Sequence, residues 1–127
     1  MADTVTHSDN ALAKVREIAL ALPGSGERLS HGSPGFHIVG GKFFAYFWHD
    51  HHHDGETVVI VKTSGLDEQE ALIEAKPDLY FKPAYLGPSG WVALRLGGDT
   101  DWELVADRVA QSWEMVAPRR LLEMGGR

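Results

Sequence analysis

Apolar positions along this chain change period several times, and each change marks a new element. From Leu12 they recur at Val15, Ile18, Ala19 and Leu22, a helical spacing with Ser8, Asp9 or Asn10 available as the cap. Pro23-Gly24 ends the run, which predicts a first helix over 9–22. A region of short strands follows: 27–30, 36–39, 42–48 and 57–62. Gly32-Ser33-Pro34-Gly35 reads as the turn between the first two, and Gly40-Gly41 as a two-residue hairpin signal. The stretch from Phe36 to Lys62 is thus expected to form an antiparallel meander.

Ser64-Gly65-Leu66-Asp67 matches a capping box and opens a helix over 66–76, with Leu66, Ala71, Leu72 and Ile73 inward. Pro77 stops it. Residues 78–89 carry Tyr80, Phe81 and Tyr85 among prolines, an irregular stretch that should pack on the sheet. A fifth strand covers 90–96. Thr100 and Glu103 look like a second capping box, and Trp102, Val105, Ala106, Val109, Ser112, Trp113 and Val116 form the apolar stripe of a helix over 101–117. Pro118 interrupts it, and a short turn can follow over 119–124. Consecutive strands flanked by helices predict an α+β two-layer domain with an antiparallel sheet. With 127 residues there is room for one such domain, 1–127, with an ordered core over about 9–122.

Composition narrows the function classes. Cysteine is absent, which excludes disulfides and thiolate chemistry and suits a reducing compartment. No run approaches the ~20 apolar residues a membrane helix requires, and the polar start Met1–Asn10 lacks a signal-peptide core. The expectation is a cytoplasmic protein with no membrane partner. Net charge is −6, the twelve Lys and Arg are scattered, and the acids cluster over 67–78 on what reads as a solvated helix face. That balance argues against strong nucleic-acid binding.

Three features could carry chemistry. His49, His51, His52 and His53 lie beside Asp50 and Asp54, and imidazoles with carboxylates suit zinc or nickel. A polar hairpin tip without fixed support reads first as a solvated loop that binds metal adventitiously. Near the Ser33-Pro34 turn, Ser30, His31, Ser33 and His37 supply hydroxyls and imidazoles but no nucleophile elbow and no acid partner. The strand 42–48 is apolar on both faces: Phe43, Ala45 and Phe47 on one, Phe44, Tyr46 and Trp48 on the other. Either the segment 79–86 covers the second face or a ligand or partner does. Trp91 and Trp113 are expected to be buried.

In order along the chain, His31-Gly32-Ser33-Pro34, Phe36, Gly41-Lys42-Phe43-Phe44-Ala45, Val61-Lys62, Phe81-Lys82-Pro83-Ala84-Tyr85-Leu86, Gly90-Trp91-Val92, Ser112-Trp113 and Val116-Ala117-Pro118 resemble the MmcQ/YjbR family. The resemblance spans about residues 9–122. It implies a frataxin-like α+β fold, also described as a double wing. Members are commonly labelled DNA-binding, and no catalytic residues come with the family. The frataxin-like acidic ridge does not transfer, because the first helix offers Glu17 beside Lys14 and Arg16.

The reading is therefore a binding protein rather than an enzyme, with no cofactor, acting as monomer or homodimer. If DNA is the partner, as the family label implies, Lys42, Lys62, Arg95, Arg119 and Arg120 are the candidate phosphate contacts. If a small molecule or peptide is bound, Tyr46, Trp48, Tyr85 and Trp91 are the candidate walls and His31, Lys42 and Lys62 the polar anchors. A metal-responsive role would use the histidine loop.

Overall fold

The computed structural model describes residues 7–50 and 55–125. In chain order the elements are α1 (His7–Leu20), β1 (Ser25–Ser30), β2 (Ser33–Ile38), β3 (Phe43–His49), β4 (Thr57–Val61), α2 (Leu66–Ala75), β5 (Tyr80–Phe81), β6 (Val92–Arg95), α3 (Trp102–Val116) and α4 (Arg119–Leu122). The strands make one antiparallel sheet in the order β1-β2-β3-β4-β6-β5. Helices α1 and α3 cover one face. Val15 and Ala19 from α1 and Val105, Val109 and Trp113 from α3 close over Phe36, Phe44, Phe47, Val59, Val61 and Leu94 from the sheet. This is the α+β two-layer arrangement the pattern predicted. The meander β2-β3-β4 also stands.

Several local expectations do not. The first turn is His31-Gly32, not residues 32–35. Ser30 pairs directly with Ser33, and both turn residues have positive φ, 53° and 82°. That is the two-residue hairpin whose twist matches its strands, and it leaves Pro34 and Gly35 inside β2. Pro34 is tolerated because it is the second residue of β2, and the pairing of β2 with β3 begins only at Gly35. The stretch 78–89 is not wholly irregular, since Tyr80 and Phe81 add a sixth strand on β6 and residues 87–89 make a 3₁₀ turn. A two-residue strand is too short to show a period.

The expected capping boxes use other partners. On α2 the carboxylate of Glu68, not Asp67, accepts from the Ser64 backbone N–H at 2.7 Å. On α3 the cap is Asp101, which accepts from the Leu104 N–H at 3.2 Å. Thr100 instead closes its own loop through the N–H of Gly97 at 2.6 Å. Nor does α2 bury Leu66, which is 56% exposed, or Ala71. Its one fully buried side chain is Gln69, while Leu72 and Ile73 are half-buried.

The alternation expected on β3 is broken by a bulge. Phe36 pairs with Ala45 and His37 with Phe43, so Phe44 is an extra residue on β3. Phe44 and Ala45 both join Phe47 in the core beneath the helices. Phe43 is thereby moved to the open face, where its ring stacks on Tyr46 with centroids 5.1 Å apart. Gly35 makes room there, since a Cβ on it would lie 2.6 Å from the Phe43 ring.

A bulge leaves backbone groups without ladder partners. Here Ser112 of α3, fully buried, fills the gap: its hydroxyl donates to the Phe44 carbonyl (2.5 Å) and accepts from the Lys62 N–H (2.9 Å). Its neighbour Trp113, 1% exposed, donates its indole N–H to the Pro23 carbonyl at 2.9 Å and ties α3 to the end of α1. Ser112→Ala leaves the buried Phe44 carbonyl and the part-buried Lys62 N–H without this partner and is expected to cost about 1–3 kcal/mol. Trp113→Ala should cost ~3–5 kcal/mol, out of the ~5–15 kcal/mol a domain of this size holds in total. Urea melts of both variants check these values. A Ser112→Ala protein as stable as the parent would mean that the two backbone groups close directly on each other.

Glu68 gives the fold a predictable response to acid. The Ser64 backbone N–H, with the Ser64 hydroxyl and Arg108 adding to it, holds this carboxyl below its ordinary value against the opposing effect of burial. A carboxyl lowered on folding stabilises fully above its unfolded pKa of about 4.3 and loses that contribution as pH falls through the folded value. Glu68→Gln should therefore be less stable than the parent at pH 7, and the gap should shrink in urea melts at pH 3. A gap that stays constant between the two pH values would remove Glu68 from the acid response.

Candidate ligand pocket on the open sheet face

The face opposite α1 and α3 has its own small cluster. Val58 and Ile60 from β4, Ala93 from β6 and Trp91 are buried there, with Tyr46, Trp48, Phe81 and Leu86 packed around them. The cover is the connection between β5 and β6, residues 82–91. It satisfies much of its own backbone, through Gly87 N–H to the Pro83 carbonyl and Gly90 N–H to the Gly87 carbonyl, among others. It is pinned from below by α2. The Gln69 side-chain amide donates to the carbonyls of Gly87 (2.8 Å) and Trp91 (2.7 Å), and the Thr63 hydroxyl donates to that of Gly90 (2.6 Å). Gln69 is the residue sequence reasoning missed. Its signal was its neutrality, since it stands between Glu68 and Glu70 in an acidic helix.

The cover leaves part of the face open. A cavity of about 480 Å³ is lined by Ser30, His31, Tyr46, Trp48, Tyr85 and Leu86. The volume is within the ~300–1,000 Å³ usual for small-molecule sites. Tyr46 and Trp48 come up from β3, His31 from the β1–β2 turn and Tyr85 from the cover. Two of these lining residues hold unusual backbone: His31 at φ 53° and Tyr85 at φ 67°. For a tyrosine this left-handed conformation costs on the order of 1–2 kcal/mol. Tyr85 is also 85% exposed, so burial of its ring does not offset the strain.

Of the expected pocket residues, His31, Tyr46, Trp48 and Tyr85 meet in this cavity. Trp91 does not line it. It is buried, 8% exposed, and backs Tyr46 with ring centroids 5.4 Å apart. Lys62 reaches across Trp91, its ammonium 5.1 Å from the ring centroid. On the other flank the Arg28 guanidinium sits 4.9 Å over Phe43, the ring stacked on Tyr46. Burial raises the Tyr46 phenol above its ordinary value, and the nearby charge of Arg28 pulls against that rise. Lys42 is not part of this site. It lies in a separate shallow cleft with Gly40, Gly41, Met115 and Arg120, away from the aromatic rings. Ser30, noted in the sequence only beside the histidines of the turn, and Leu86 also line the cavity, and neither was among the expected pocket residues.

The expected phosphate contacts are dispersed. Lys42 and Arg120 share that shallow cleft, Lys62 stands over Trp91, and Arg119 faces Glu123 at 3.8 Å. Arg95 is committed: its Nε donates to Glu56 at 3.0 Å, its Nη1 to the carbonyls of Pro77 and Asp78, and its guanidinium covers Phe81. Among the histidines, His49 is held by a 2.7 Å hydrogen bond between its Nδ1 and the Thr57 hydroxyl. His51, His52 and His53 lie outside the described residues, and among the described residues no group of three potential ligands could hold a metal ion. No helix of the described residues is long and apolar enough to cross a membrane.

Comparison with known proteins agrees with the geometry at the level of fold. A crystal structure of the Deinococcus radiodurans protein DR2400, with a DUF419 domain, superposes with a TM-score of 0.66. It covers 82% of this chain and 76% of that one at 20% identity, a likeness of fold. None of the curated proteins matches the chain. The family model for YjbR matches residues 20–115, a span that takes in β1 to β6, both walls of the cavity and Ser112-Trp113: this chain belongs to the YjbR family.

Proposed function

We propose that this domain is a non-enzymatic binding module that takes a small molecule, or one side chain of a peptide, into the cavity between Tyr46, Trp48 and Tyr85. The observation that carries the reading is Tyr85. A large aromatic residue is held exposed and in a strained backbone conformation beside a preformed aromatic cavity. Strained backbone beside a cavity is typical of ligand clamps. Ser30 and His31 do not argue for catalysis. Their Oγ···Nδ1 separation is 3.4 Å between sequence neighbours, and among the described residues no carboxylate orients the imidazole as a nucleophile–base pair requires.

Duplex DNA is the competing partner. It needs fixed cations along one continuous surface, whereas Lys62 stands over Trp91 apart from the cleft that Lys42 and Arg120 share, Arg119 faces Glu123 and Arg95 is already paired.

The test uses two uncharged planar probes, indole and adenosine, titrated while the Trp48 indole N–H is followed by NMR. Both should shift it. Tyr85→Ala should weaken each probe by about tenfold with an unchanged melting temperature, because the ring supports no core. Probes that leave Trp48 unmoved, or bind the Tyr85→Ala variant equally well, would sink the reading. Random duplex DNA, followed by anisotropy near physiological salt, should show no submicromolar affinity. Tight, steeply salt-dependent binding there would transfer the function to DNA.

A further inference from the structure

Three aromatic walls around one cavity suit two opposite ligand chemistries: a cation, drawn to the ring faces, or a planar ring that stacks on them. The charge around the cavity decides between them. Register places the side chains of Arg28, Glu56, Lys62 and Arg95 on the open face with Tyr46 and Trp48. Glu56 neutralises Arg95. Arg28 and Lys62 remain, one on each flank of Tyr46 and each a single ring away from it. Among the described residues neither makes an ion pair, and no carboxylate lines the cavity. The pull of Arg28 on the Tyr46 phenol places its charge within reach of the cavity wall. Of the chain's 18 acids, nine lie on α1, α2 and α3, and none of those nine lines the cavity.

Resting on the pocket reading above, we infer that the cavity takes a planar aromatic group carrying an anionic substituent, a carboxylate or a phosphate. The ring stacks against Tyr46, Trp48 and Tyr85, and the anion is drawn to Arg28 or Lys62. A cationic ligand would enter a site already held positive from two sides. A neutral ring would gain the stacking and none of the charge attraction.

One ring in three charge states tests this: indole-3-acetate, indole-3-acetamide and tryptamine. Adenosine monophosphate against adenosine forms the second arm. Calorimetry on the full chain should find each anion bound about tenfold more tightly than its neutral counterpart, since a hydrogen bond to a charged group exceeds a neutral one by roughly that factor. Tryptamine should bind weakest. The preference should fall with added salt, because both cations are near the surface. It should shrink in Arg28→Gln/Lys62→Gln, a double variant outside the buried core whose fold is checked by its melting temperature. The better of indole-3-acetate and adenosine monophosphate then assigns the anion as carboxylate or phosphate. Equal binding of acid and amide, tighter tryptamine, or a preference that survives the double variant would overturn the anion inference and leave the pocket reading intact. Absence of binding by every probe would overturn both.

Discussion

A sheet that is apolar on both faces needs something to fix which strand residue goes to which face, and here the hydroxyl of Ser112 supplies it. Without the bulge at Phe44, strict alternation would send Phe43 into the core and leave Phe44 on the open side. With it, Phe44 and Ala45 both turn inward and Phe43 stands beside Tyr46. The bulge is sustainable because the buried Phe44 carbonyl and the part-buried Lys62 N–H are bridged by one side chain from α3. The α3 helix thereby does more than bury a stripe. It bridges β3 to the end of β4 at the bulged residue, where the β2–β3 register shifts and Phe43 is turned toward the cavity side.

The same physics explains what the sequence made legible. The meander β2-β3-β4 was marked by short apolar and β-branched runs between turn signals, while period located α1 and α3, because each buries one face against a single core. It placed Trp113 correctly for that reason. It mispredicted β3 because a bulge leaves no mark on the hydrophobic pattern when both candidate faces are apolar. It mispredicted the inward face of α2 because that helix lies beside β5 and buries an amide, Gln69, rather than an apolar stripe. The turn at His31-Gly32 was hidden by Pro34, which marks a turn in most contexts yet here is the second residue of the strand that pairs with β1.

The cavity was half legible. Tyr46 and Trp48 stood out as rings on a second greasy face, and Tyr85 as part of an aromatic segment that must pack somewhere. Grouping Lys42 and Trp91 with them was the natural inference from proximity in sequence. Lys42 fails because the chain between β2 and β3 carries it towards the C-terminal end of α3. Trp91 fails because the amide of Gln69 fixes its carbonyl and turns the indole beneath Tyr46. It acts as the floor that holds Tyr46 in place. The backbone positions of His31 and Tyr85 leave no trace in composition at all.

Net charge misleads in this molecule because a sum carries no geometry. A total of −6 describes a surface dominated by its helices, where Asp67, Glu68 and Glu70 on α2 and Asp101, Glu103 and Asp107 at the start of α3 are concentrated. The open sheet face lies across the core from α1 and α3. Interactions between exposed charges fade over a Debye length of about 8 Å at physiological salt. A ligand at Tyr46 therefore responds chiefly to the charges flanking it, Arg28 and Lys62, and little to the acids of α1 and α3 behind the sheet. The net charge of the whole chain therefore does not fix the charge that an occupant of the cavity meets; the placement of Arg28 and Lys62 beside Tyr46 bears on it more directly.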